Sequence, residues 1–188
     1  MHPLIELAKN AVETYIKEGR IISPPFDFPK EYLSKKAGVF VTLKKDGKLR
    51  GCIGTYLPTQ ENIAKEVIRN AISASTQDYR FGAVSQEDLP LLSYTVYILS
   101  TPELVKDKSE LDPKKYGIIV KTTPYTTPDG EDVVFDGRTP AKTGLLLPNL
   151  EGIDTPEKQI LIACQKGGID PEREKLIIYR FLVEKYDQ

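Results

Sequence analysis

Leu4, Leu7, Ala8, Ala11, Val12, Tyr15 and Ile16 recur at three- and four-residue intervals, which predicts an amphipathic helix stopped by Gly19. The proline-rich run "IISPPFDFPK" then reads as a surface loop. "GVFVTL" has the alternation of a strand, and Asp46-Gly47 signals a hairpin turn into a return strand, "LRGCIGT", from Leu49 to Thr55. After Pro58, Thr59 is placed to cap a helix whose apolar stripe is Ile63, Ala64, Val67, Ile68, Ala71 and Ile72.

Ser85 and Asp88 have the spacing of a capping box over one short turn. "SYTVYILST" and "GIIVKT" read as strands, with a helical turn, "SELDPKKY", between them. The turn-rich run from Thr122 to Thr143 reads either as a hairpin excursion or as a surface loop. "GLLLP" resumes the sheet, Thr155-Pro156 opens a helix that ends at Gly167-Gly168, and "KLIIYRFLVEKY" closes the chain as one long strand.

Strands and helices do not alternate regularly. The expected fold is therefore α+β: a mainly antiparallel sheet flanked by helices, with a smaller β-rich sub-lobe around 117–147 inside a single domain spanning 1–188.

Composition narrows the chemistry more than the fold. A chain of 188 residues, 40% hydrophobic and 28% charged, is an ordinary globular domain. Its formal net charge of −1 argues against a nucleic-acid binder, and the lysine pairs at 35–36 and 44–45 read as a solvated face. The apolar runs are too short for a membrane span, and "MHPLIELAKN" lacks the pattern of a secretory signal.

Two cysteines, Cys52 and Cys164, make no disulfide framework, which suits a reduced, cytoplasmic protein. One Met, no Trp and abundant Lys, Glu and Ile lean toward a thermophilic source. The lone histidine, His2, precedes the first helix at a terminus expected to be mobile. Triads, Cys/His dyads and histidine metal sites are therefore not expected, and no CxxC, HExxH or P-loop occurs. The sequence names no cofactor, and any chemistry falls to Cys, Asp, Glu, Arg, Lys, Tyr or the backbone.

Strict alternation along "LRGCIGT" puts Leu49, Gly51 and Ile53 on the core face. Arg50, Cys52 and Gly54 then share the other face, with the α-carbons of Arg50 and Cys52 roughly 6–7 Å apart. A guanidinium so close favours the thiolate, the nucleophilic form of cysteine. Gly51 and Gly54 would let a ligand approach the backbone. The same residues also fit a buried thiol, an ion-paired arginine and a bulge. Cys164, beside Ile160 and Leu161 on a helix stripe, reads as core. In "NAISASTQDYRF", Asn70, Ser73 and Gln77 line a polar helix face, Asp78 and Arg80 make an acid and an anion anchor or a local ion pair, and Phe81 reads as core.

"GVFVTLKKDGKLRGCIGTYLPT", "RNAISASTQDYRFGAVSQEDLP", "GLLLP", "ACQKGGI" and a closing "YRF", in order from Gly38 to Phe181, resemble the AMME chromosomal region protein family. The resemblance implies an α+β domain with a smaller sub-lobe, cytoplasmic in archaea and bacteria. It implies a site gathering Arg50, Gly51 and Cys52 with Asn70, Asp78 and Arg80. It also implies a grouping of prokaryotic members with a radical-SAM protein and a dioxygenase-like protein, but no settled activity. Where the family has a short strand-turn-strand before "GLLLP", this chain has the longer run 122–143.

Two functions follow. One is a cytosolic enzyme with Cys52 as nucleophile or thiol acid/base, Arg50 tuning it, and Asp78 and Arg80 positioning substrate. The other is a non-catalytic module that uses the same strand to hold a partner protein or small ligand.

Overall fold

The computed structural model describes residues 1–122 and 141–188. The chain divides into two compact units, one made of Met1–Thr101 with Glu184–Gln188, the other of Pro102–Val183.

In the first unit, α1 (Pro3–Glu18) begins with proline at its first turn and ends at Gly19, whose φ of 67° supplies the left-handed turn-off. His2 is held rather than mobile. Its Nδ1 accepts the Leu4 N–H at 3.3 Å, and its ring stacks on Tyr186 at 4.1 Å. A short helix, α2 (Lys30–Ser34), leads into β1 (Gly38–Lys45) and β2 (Lys48–Thr55). Asp46 and Gly47, with φ of 51° and 76°, make the tight turn that the right-handed strand twist selects.

α3 (Ile63–Thr76) buries the expected stripe, yet its N-cap is Asn62, whose side chain accepts the Lys65 N–H at 2.9 Å. Thr59 does not cap it. Its hydroxyl and amide instead donate to Glu66. The capping box of Ser85 and Asp88 forms, over a 3-10 turn that leads into β3 (Leu92–Leu99).

β1 and β3 are paired antiparallel, and Val39, Val41, Leu43, Tyr94 and Val96 share one face of the sheet. These side chains merge with the buried stripes of α1 and α3 into a single core. The strand order is β2-β1-β3-β8, where β8 is Val183–Asp187.

In the second unit, β4 (Glu103–Leu104), β5 (Gly117–Thr122), β6 (Thr143–Leu146) and β7 (Leu176–Phe181) order as β4-β7-β5-β6, all paired antiparallel. α4 (Pro156–Gly167) packs on β5 and β6, so close that a Cβ on Gly144 would lie 1.8 Å from the Ala163 carbonyl oxygen. This unit is longer than the 117–147 anticipated for a sub-lobe. The excursion expected between 122 and 143 falls almost wholly outside the described residues.

The closing strand is not one strand. It breaks at Leu182, so that β7 joins one sheet and β8 the other. An unbroken run of twelve residues would reach about 40 Å, longer than the strands of either sheet can pair.

Candidate functional site

The register of β1 against β2 shifts between Leu43 and Lys44: Leu43 faces Gly51, whereas Lys44 faces Leu49. Arg50 is thus the extra residue of a β-bulge, and a bulge reverses the alternation beyond it. Leu49, expected in the core, shares a face with Lys44 and is 42% exposed. Arg50 does not extend the face of Cys52 as strict alternation required. Its guanidinium donates to the carbonyls of Gly82 and Ala83, each at 2.8 Å, and to Asp88 at 3.4 Å, tying the hairpin to the loop after α3.

β2 is the edge of its sheet, and an edge strand presents unpaired backbone groups. At Cys52 these are taken by a side-chain pair. The Cys52 N–H donates to Asp78 Oδ2 at 2.9 Å, and the Arg80 guanidinium approaches the Cys52 carbonyl oxygen at 3.5 Å. Asp78 and Arg80 lock each other in a fork, Nε to Oδ1 at 2.9 Å and the terminal nitrogen to Oδ2 at 2.7 Å. The Arg80 hydrogen bond holds Asp78 well below the usual carboxylate range, at about 2, and the Cys52 N–H adds to this against the opposing effect of burial. Arg80 is in turn held more firmly protonated, mainly by Asp78 and also by the Cys52 sulfur. The cation that meets the Cys52 peptide group is Arg80, and it lies over the half-buried Phe81 ring, 5.2 Å from its centroid.

The Cys52 side chain belongs to the sheet face opposite the helices. There it faces Thr42, whose hydroxyl donates to Sγ at 3.2 Å, and Thr42 faces Thr95 across β1. Thr95 donates to Asp187 at 2.9 Å, and Lys185 pairs with the same carboxylate at 2.7 Å. A polar row thus crosses four strands. Tyr97, two residues beyond Thr95, shares this face, its phenol pushed above the ordinary value chiefly by burial. Thr42, Thr95, Tyr97 and Asp187 were not singled out by the sequence pattern. Alternation along "GVFVTL" and "SYTVYILST" places the threonines off the core face, but only the pairing register sets them in line with Cys52.

The other anticipated residues serve packing. A Cβ on Gly51 would lie 2.1 Å from the Ala74 carbonyl oxygen, so this glycine lets α3 close on the hairpin. A Cβ on Gly54 would lie 2.2 Å from the Phe40 ring, which covers it. Asn70 is not on a polar face. It is buried, donating to the Val39 carbonyl at 2.9 Å and to Thr55 at 3.3 Å. Next to it Glu66, fully buried, accepts four hydrogen bonds of 2.7 Å from Thr55, Thr59 and Gln60 and pins the loop before α3.

Cys164 is fully buried in the core of the second unit, and neither cysteine forms a disulfide. Among the described residues no group of three His, Cys, Asp or Glu side chains is placed to hold a metal ion. No described helix is long and apolar enough to cross a membrane. The arrangement offers a half-buried sulfur with a hydroxyl donor, a guanidinium backed by a carboxylate, and a nearby phenol.

A family model described as AMMECR1 matches residues 5–186. A protein of Thermotoga maritima is 47% identical over 98% of this chain and 97% of its own length. One of Clostridium acetobutylicum is 42% identical over 99% of this chain, which corresponds to 36% of that longer protein. The crystal structure of an uncharacterized protein from Pyrococcus horikoshii superposes with a TM-score of 0.82 at 30% identity, covering 98% of this chain and 89% of the other.

Proposed function

The chain belongs to the AMMECR1 family, and from that premise we propose that it is an enzyme of the reducing cytosol whose reacting group is the Cys52 thiol. The observation that carries this reading is the setting of Sγ. It is half-buried and takes a hydrogen bond from Thr42, while Arg80, held by Asp78, reaches the carbonyl oxygen of the same residue. Hydrogen-bond donation and a neighbouring cation both favour the anionic sulfur. In this role Arg80 also binds an anionic group of the substrate. Arg50 leaves the reacting set because its donors already bind loop carbonyls and Asp88. Asp78 is a positioning residue, acting through Arg80.

The test is alkylation by iodoacetamide, in which the C–S bond forms as iodide leaves. At pH 7 wild-type Cys52 is expected to react at least about tenfold faster than glutathione, and Arg80→Gln to remove most of the excess. A Cys52 that reacts no faster than glutathione sinks the reading.

A second reading is supported by how fully Asp78 and Arg50 are occupied by backbone groups: the same strand then holds a partner protein or small ligand without turnover. Cys52→Ser separates the two, because a binder tolerates the loss of a thiolate that an enzyme of this kind requires.

A further inference from the structure

α3 has a face that the thiol site does not use. Lys65, Arg69, Ser73 and Gln77 follow at four-residue intervals along it and so lie in one row, with Ile68 and Ile72 in the row beside them. Opposite stand Tyr15, near the end of α1, and the proline-rich segment at Ile21, Ile22, Ser23 and Pro24. Between these walls lies a cleft of about 360 Å³, within the range that holds small molecules.

Three observations say what the cleft is built to take. First, its charged lining residues, Lys65 and Arg69, are both cations, and no Asp or Glu lines it. Lys65 is paired with Glu61 one turn earlier, but Arg69 meets no carboxylate among the described residues. Second, Ser73 is only 8% exposed, and its hydroxyl has no hydrogen-bond partner among the described residues. A helical serine or threonine ordinarily bonds back to the preceding turn, as Ser75 and Thr76 both do to the Ile72 carbonyl at 2.8 Å. Ser73 does not, so its hydroxyl reaches solvent on the cleft wall as a donor available to a ligand. Third, beside the neutral polar side chains of Ser23, Gln60 and Gln77 the wall carries an apolar patch: Ile68 and Ile72 are buried, Ile22 and Pro24 are half-buried, and Ile21 at the margin is 66% exposed.

We propose that this cleft binds a small organic anion, its carboxylate or phosphate held by Arg69 and the Ser73 hydroxyl and its apolar body laid against Ile68, Ile72 and Ile22. The arrangement is amphipathic in the way small-molecule sites are, with a few convergent polar groups on an apolar wall. It stands apart from Cys52, so the two can fail separately.

Isothermal titration of the full chain with phenyl phosphate, benzoate, inorganic phosphate and benzyl alcohol tests it. At least one of the two aromatic acids is expected to bind, and the tighter of them identifies the acidic group. Inorganic phosphate and benzyl alcohol, each carrying half of the recognised chemistry, are expected to bind at least about tenfold more weakly. Arg69→Gln, an exposed substitution, is expected to lose about tenfold in affinity with an unchanged melting temperature, and Ser73→Ala to lose a smaller factor. Cys52→Ser is expected to keep wild-type affinity. Failure of both acids to bind, equal binding of inorganic phosphate, wild-type affinity in Arg69→Gln, or loss of affinity in Cys52→Ser would each overturn the proposal.

Discussion

The two cysteines show how differently one side chain behaves in two settings. Cys164 sits on α4 among Ile118, Val120, Leu146, Ile160 and Ala163, with no exposed surface, and burial pushes its thiol above the ordinary value. Cys52 sits on an edge strand, half-buried, with Thr42 on its sulfur and Asp78 and Arg80 on its peptide group. Around Cys164 the packed neighbours exclude water, and the Glu174 carboxylate adds to the effect, so the neutral thiol is favoured and the residue acts as a small hydrophobe. Around Cys52 the sulfur meets a donor, Thr42, and the peptide group meets an acceptor, Asp78, and a donor, Arg80. The contrast comes from where each element ends: α4 is buried on the face that carries its cysteine, whereas β2 has no strand beyond it and must complete its hydrogen bonding with side chains.

The largest effect expected is in labelling. In the native protein Cys52 should react with iodoacetamide about a thousandfold faster than Cys164, which becomes accessible only through opening of the second unit. Mass spectrometry of timed digests reads both rates at once, and comparable rates would erase the distinction.

Next comes packing beneath each cysteine. Gly144→Ala drives a methyl group into the Ala163 carbonyl, and Gly51→Ala drives one into that of Ala74. Each should cost about 3 kcal/mol, read by urea unfolding, because backbone on both sides leaves little room to yield. Gly144→Ala should also speed labelling of Cys164 and so narrow the ratio. A neutral Gly144→Ala would show that the closeness of α4 to β6 is not what seals that thiol.

The smallest effect concerns Asp78. Its folded value of about 2 lies below the ordinary 3.8, so its contribution is complete above pH 3.8 and is lost as the pH falls from there through 2. Asp78→Asn should destabilise by about 2 kcal/mol at neutral pH and flatten the acid limb of the stability curve across that window. An unchanged acid limb would remove Asp78 as the clamp on the edge strand.

Much of this was legible beforehand, and the reasons are local. The buried stripes of α1 and α3 follow from a 3.6-residue period, the turn at Asp46-Gly47 from two positive φ angles, and the start of α4 from Thr155-Pro156. The site was harder to read because one inserted residue displaced it. Strict alternation put Arg50 beside Cys52 and Leu49 inside, whereas the bulge at Arg50 sent Leu49 out and the guanidinium to the loop at 81–83. The glycines of "LRGCIG" allow a bulge but do not place it at Arg50, since the register belongs to the pairing of two strands and not to either one. Glu66 is hidden from the pattern for a similar reason: a glutamate on a helix reads as surface until the residues that supply its four donors fold over it.

By itself the sequence determined the three long helices, the hairpin strands, the tight turn, the caps at Ser85 and Thr155, and the burial of Cys164, because each depends on neighbours within a turn or two along the chain. Tertiary structure alone decided that the last twelve-residue run is divided between two sheets, that Asp78 and Arg80 hold the peptide group of Cys52, and that Thr42, Thr95 and Asp187 line up with its sulfur. Those outcomes depend on register and edge position, which arise only when segments far apart in the chain compete for the same hydrogen bonds.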